Sequence, residues 1–131
     1  MIRLVRARAV VVGLYVAAML AATLSSGARI EAFGIPTGLL DVGHVPLFAG
    51  LALVALWAVE GPPLRRIVVV AAFCVLFAAA DEWAQRFAPG RAPQLADFAA
   101  DVAGVGLGVA IGYPFIKGAS SALPTRGGST R

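Results

Sequence analysis

The sequence predicts an all-α fold, an integral membrane four-helix bundle with both termini cytoplasmic. Three observations carry that reading. Four apolar blocks of span length follow one another along the 131 residues. Hydrophobic residues make up 60% of the chain and charged residues 14%, where a soluble domain carries roughly 25% charged residues. So many apolar side chains cannot be hidden in a globule this small. The basic residues, finally, divide unequally between the two sides that four crossings define.

The four blocks cover about 9–24, 44–59, 67–87 and 95–116. Each is close to the ~20 residues that cross ~30 Å of hydrocarbon as a helix. They lack the period-two alternation of barrel strands and are rich in alanine, a helix former. Arg3, Arg6 and Arg8 precede the first block. A secretory signal peptide has the same plan and is the competing reading of this segment. Residues 25–41 hold Gly27, Gly34, Pro36 and Gly38 and read as a loop.

The second block starts at His44, and Glu60-Gly61-Pro62-Pro63 breaks it off. The third follows Arg65 and Arg66. It is apolar for two-thirds of its length, then carries Asp81, Glu82, Gln85 and Arg86 before Pro89-Gly90. The fourth ends near Ile116. Residues 1–116 thus form one transmembrane domain, and residues 117–131, rich in Gly, Ser and Thr, a flexible polar tail.

Four crossings put both termini on one side. That side receives Arg3, Arg6, Arg8, Arg65, Arg66, Lys117, Arg126 and Arg131, and the other only Arg29, Arg86 and Arg91. The excess marks the cytoplasmic side. No basic run is interleaved with aromatics, which excludes nucleic acid as a partner. The lone Cys74 lies inside an apolar block and forms no internal disulfide.

All the acids but Glu60 fall on the opposite side from most of the basic residues. Asp81, Glu82, Asp97 and Asp101 lie within or at the rim of spans, where an ionised group costs several kcal/mol, roughly, unless it is paired or wetted. Asp81 and Glu82 precede Gln85 by four and three residues and share its helix face. Asp97 and Asp101 are four apart, and Gly104, Gly108 and Gly112 continue that face as a repeated Gly-x-x-x-Gly. The face that holds the acids therefore also packs against another helix. The turn between spans three and four brings Arg91 within reach of Glu82 and Asp97, and arginine pairs carboxylates through a planar fork. His44 stands at the same membrane level and titrates near neutrality when unperturbed. The candidate ligand-binding residues are therefore His44, Asp81, Glu82, Gln85, Arg91, Asp97 and Asp101. The alternative is an ion-pair latch between helices with no ligand at all.

The run Asp81-Glu82-Trp83-Ala84-Gln85-Arg86-Phe87-Ala88-Pro89-Gly90-Arg91, followed by Asp97, Asp101, Gly104 and Gly108, resembles the VanZ-like family. Leu24-Ser25-Ser26, His44, Phe48 and Leu51 add a weaker upstream match, and the likeness covers about residues 9–112. The sequence departs from the family at Asp41, where many members carry lysine, and at Ala84, where many carry a second histidine. The resemblance implies a multi-pass protein of the bacterial cytoplasmic (inner) membrane whose first span is retained, and a link to teicoplanin resistance.

The function expected from residues and resemblance together is binding of a cell-envelope lipid or precursor head group at the outer face. An embedded enzyme using carboxylate or histidine acid–base chemistry on a lipid-linked phosphate is the alternative. No nucleophile elbow or metal-ligand spacing supports it, although oxygen ligands of the acids suit Mg²⁺ or Ca²⁺. A structural partner or proton-linked carrier is the third reading, and it calls for a homo-oligomer. No cofactor and no metal are expected. The expected partners are the lipid bilayer and a lipid-linked precursor.

Overall fold

The computed structural model describes residues 3–24, 38–89 and 93–121. Four helices account for nearly all of them. Helix α1 spans Arg6–Thr23, α2 Gly38–Ala58, α3 Pro63–Gln85 and α4 Leu95–Ser121. A two-residue strand, β1 (Arg3–Leu4), precedes α1, and another, β2 (Val59–Glu60), follows α2.

Three helices are long and apolar enough to cross a membrane: Arg6–Thr23, Pro63–Gln85 and the Leu95–Gly118 part of α4. Helix α2 contributes a shorter apolar segment, Gly43–Ala58. At 1.5 Å per residue, a helix the length of α3 reaches about 34 Å, against ~30 Å of hydrocarbon. The outer surface is strongly apolar. Leu14, Leu64, Leu76, Leu95 and Phe115 are each more than half exposed, a display that a water-facing monomer does not sustain.

The helix limits differ most from the sequence expectation in three places. Helix α2 begins at Gly38, so residues 38–41 are helical rather than loop. Helix α3 begins four residues early because Pro63 occupies the first turn, where its missing N–H would be unpaired anyway. Proline there starts a helix; the break lies at Gly61, whose φ of 141° is accessible to glycine alone. Helix α4 runs on through Gly118 to Ser121 instead of stopping at 116, with Pro114 accommodated inside it. Residues 122–131 lie outside the described residues, and so do 25–37, where the rest of the first loop was placed.

Helix α2 is central and touches the other three, most extensively α4. The small residues of α4 make that contact close. A Cβ on Gly104 would collide with the Val45 carbonyl oxygen, and one on Gly108 with the Ala49 carbonyl oxygen. One on Gly112 would stand 2.7 Å from a Leu56 methyl. Phe48, Leu51, Ala52, Ala55 and Leu56 of α2 join Val70, Cys74 and Ala78 of α3, Met19 of α1 and Val105 of α4 in the apolar core. Phe48 and Phe77 tie α2 to α3 with ring centres 5.9 Å apart.

The two short strands were not anticipated. Arg3 pairs with Glu60 and Leu4 with Val59, antiparallel. The Val5 N–H then donates to the Ala58 carbonyl at 3.1 Å. Arg8 donates to the Trp57 carbonyl at 2.9 Å, lies 3.5 Å from Glu60 and stacks over the Trp57 ring. Arg66 donates to the Leu56 carbonyl. The start of α1, the end of α2 and the start of α3 therefore share one end of the molecule. The last turns of α4 join them, because Gly112, Phe115 and Ile116 border a hollow with Trp57 and Arg66. Arg6, Arg8, Arg65, Arg66 and Lys117 gather at this end.

Candidate functional site

The opposite end holds the acids. There the chain brings one polar stretch from each helix to a common centre: Thr23 from the last turn of α1, His44 from α2, Asp81, Glu82 and Gln85 from the last turns of α3, and Asp97 and Asp101 from the first turns of α4. All seven side chains are buried. Buried polar groups must be hydrogen-bonded to be tolerable, and most of these are.

His44 and Asp101 form the centre. The imidazole Nδ1 and Asp101 Oδ1 are 2.7 Å apart, with His44 2% and Asp101 0% exposed. The other ring nitrogen, Nε2, lies 4.0 Å from Asp97 Oδ2, too far for a hydrogen bond. The second oxygen of Asp101, Oδ2, is buried and has no hydrogen-bond partner among the described residues. Asp97 and Asp101 converge on one imidazole because they stand four apart on α4, and the glycines beyond them let α4 approach α2 closely enough for His44 to reach.

A second set of bonds ties α3 to α1 and to the start of α4. Gln85 Nε2 donates to Asp81 Oδ2 and to Glu82 Oε1, each at 3.3 Å. The four- and three-residue spacings make that fork. The Thr23 hydroxyl donates to Asp81 Oδ1 at 2.8 Å and also lies 3.0 Å from the Met19 carbonyl of its own helix. The Gln94 backbone N–H donates to Glu82 Oε2 at 3.0 Å. Thr23 and Gln94 are contacts of the candidate site that sequence reasoning missed. Thr23 had a readable signal: it is a hydroxyl residue near the end of an otherwise apolar block, at the level of the acids. A backbone donor such as Gln94 leaves none.

His44, Asp81, Glu82, Gln85, Asp97 and Asp101 are thus brought together. Arg91, expected to pair with them, lies outside the described residues. In the described residues the acids gather around His44, and the nearest exposed cation is Arg86, which stacks over Trp83 with its guanidinium 5.2 Å from the ring centre. Gly104, Gly108 and Gly112 stand below the acids on α4 and face α2.

Two features give the site chemical capacity. One ligand atom each from His44, Glu82 and Asp101 lie within 4.8 Å of one another. Beside Glu82 a groove of about 420 Å³ opens between the end of α3 and the start of α4, lined by Trp83, Arg86, Leu95 and Phe98. It is apolar along its walls, with a carboxylate and a guanidinium at its polar end. No protein-family model matches the chain, and no curated protein or solved structure matches it either.

Proposed function

We propose that the chain is a four-span, VanZ-like protein of the bacterial cytoplasmic membrane that binds the head group of a cell-envelope lipid or lipid-linked precursor. The groove beside Glu82 carries this reading. An amphipathic ligand needs apolar walls for its chain and a few convergent polar groups for its head. Trp83, Leu95 and Phe98 supply the first, and Arg86 and Glu82 the second. Arginine is suited to a phosphate, and a carboxylate accepts from sugar or peptide donors. The positive-inside rule puts this end of the molecule outside the cytoplasm, where such precursors are consumed. The link to teicoplanin resistance rests on the family resemblance alone.

The His44–Asp101 pair favours the enzymatic alternative. A carboxylate bonded to one ring nitrogen orients the other for proton transfer. No hydroxyl or thiol nucleophile is paired with that nitrogen among the described residues, so binding is the simpler account.

The test uses purified protein in nanodiscs of phosphatidylcholine doped with a polyprenyl phosphate. Wild type is expected to retain the polyprenyl phosphate through native mass spectrometry, and Arg86→Ala with Glu82→Gln to lose it at least tenfold. Equal retention by the double variant would overturn the reading. Release of inorganic phosphate would replace binding with catalysis.

A further inference from the structure

The polar centre contains more negative groups than the described residues neutralise. Asp81, Glu82, Asp97 and Asp101 are buried around one imidazole. Asp81 is satisfied by Thr23 and Gln85. Glu82 is satisfied by Gln85 and the Gln94 backbone N–H, but Asp97 and Asp101 are less well served. Asp101 Oδ2 has no hydrogen-bond partner among the described residues although the residue is fully buried. Asp97 Oδ2 faces His44 Nε2 across 4.0 Å. His44 supplies at most one positive charge to these carboxylates, and a bound cation would take the place of its Nδ1 proton beside Asp101.

We propose that His44, Glu82 and Asp101, with Asp97 at their edge, form a binding site for one first-row divalent cation of the Zn²⁺ or Mn²⁺ type. The donor set is one imidazole nitrogen and carboxylate oxygens, which suits such ions better than Mg²⁺ or Ca²⁺, whose ligands are oxygens. The spacing fits. Two ligands at roughly 2.0–2.2 Å from a tetrahedral ion stand about 3.4 Å apart. The ligand atoms of His44, Glu82 and Asp101 already lie within 4.8 Å of one another, so side-chain rotation of about an ångström closes the set. The surrounding bonds hold those ligands in place: Gln94 N–H and Gln85 fix Glu82, and packing on three helices fixes the rest. Such supporting contacts tune metal affinity. The cation also meets an electrostatic need, since a buried unpaired carboxylate is among the costliest groups in a protein interior.

The site shares Glu82 with the lipid groove but uses neither Arg86 nor the groove's apolar walls, so Arg86→Ala, which is expected to weaken polyprenyl phosphate retention and to leave metal affinity unchanged, separates the two readings. The experiment strips purified, detergent-solubilised full-length protein with a chelator and titrates it with ZnCl₂, MnCl₂ or CoCl₂ alone. Wild type is expected to bind one Zn²⁺ or Mn²⁺ per chain, to gain thermal stability on loading, and to give Co²⁺ visible ligand-field bands. Asp101→Asn and His44→Gln keep side-chain volume and hydrogen-bonding capacity. Each is expected to weaken binding at least tenfold and to abolish the bands. Absence of stoichiometric binding by wild type overturns the proposal. So does binding that Asp101→Asn and Glu82→Gln, shown folded by circular dichroism, leave intact.

Discussion

His44 of α2 and Asp101 of α4 meet with Nδ1 and Oδ1 2.7 Å apart, both buried, one turn before Gly104, where α4 lies against the Val45 carbonyl. The polar contact and the close helix approach are one feature: each places the partners the other needs. Removing the carboxylate leaves the imidazole buried beside Asp97 with its main partner gone. Breaking a buried charged pair costs about 3–5 kcal/mol, whereas neutral contacts between membrane helices average only about 0.6 kcal/mol. Asp101→Ala is therefore expected to lower the unfolding free energy in mixed micelles by about 3 kcal/mol, and His44→Ala/Asp101→Ala by less than the sum of the single losses. A single-variant loss near the neutral figure would show that this pair does not hold α2 to α4.

The glycine stripe makes a sharper claim because it contains its own control. A methyl at Gly104 or Gly108 meets backbone carbonyl oxygen of α2, which cannot rotate away. At Gly106 a methyl meets nothing within 4 Å. Gly104→Ala and Gly108→Ala are each expected to destabilise by about 1–3 kcal/mol through overpacking. Gly106→Ala is expected to be neutral or to stabilise by up to about 1 kcal/mol, since alanine is the better helix former. Three equal shifts in a denaturation series would contradict the packing described.

Much of this was legible in the sequence, for identifiable reasons. Block length and apolarity announce helices, because a chain so poor in charge has few other ways to satisfy its backbone in lipid. The three- and four-residue spacings of Asp81, Glu82 and Gln85, and of Asp97 and Asp101, carry directly into the observed bonds, because helical geometry is local. The contacts that were missed join residues far apart in the chain. The Thr23–Asp81 bond spans 58 positions, and no local period encodes it. The Arg3–Glu60 pairing depends on where α1 comes to rest against α2. Helix ends were misjudged where proline and glycine reverse their usual meaning: Pro63 opens α3, and Gly118 continues α4.

Thr23 ties α1 to the polar centre. Its hydroxyl is the one described side-chain link from α1 to Asp81, and valine has nearly its shape without the donor. Thr23→Val is expected to cost about 1–3 kcal/mol, the range for leaving a buried acceptor short of a partner. Hydrogen exchange should locate the effect, with faster exchange in the last turns of α1 and little change in α2 and α4. Uniform acceleration across all four helices would mean that Thr23 supports the whole assembly and not one attachment.

The distribution of charge leads to a prediction about topology. Arg6, Arg8, Arg65, Arg66 and Lys117 lie at the end of the molecule opposite to Asp81, Glu82, Asp97 and Asp101. Cytoplasmic retention of Lys and Arg beside spans orients the basic end inward. On the proposed four crossings the α3–α4 turn is expected outside, beside Phe87, which is more than half exposed. In a Cys74→Ala background, single cysteines replacing Arg65, Phe87 and Lys117 report the arrangement through a membrane-impermeant maleimide. Phe87→Cys is expected to react in intact cells, and Arg65→Cys and Lys117→Cys only after the membrane is opened. If Phe87→Cys and Lys117→Cys react from the same side, α4 does not cross. If Phe87→Cys reacts only after the membrane is opened, the acids face the compartment that the lipid reading excludes, and the head-group proposal falls, while the cation site, which needs only the local geometry of α2, α3 and α4, stands.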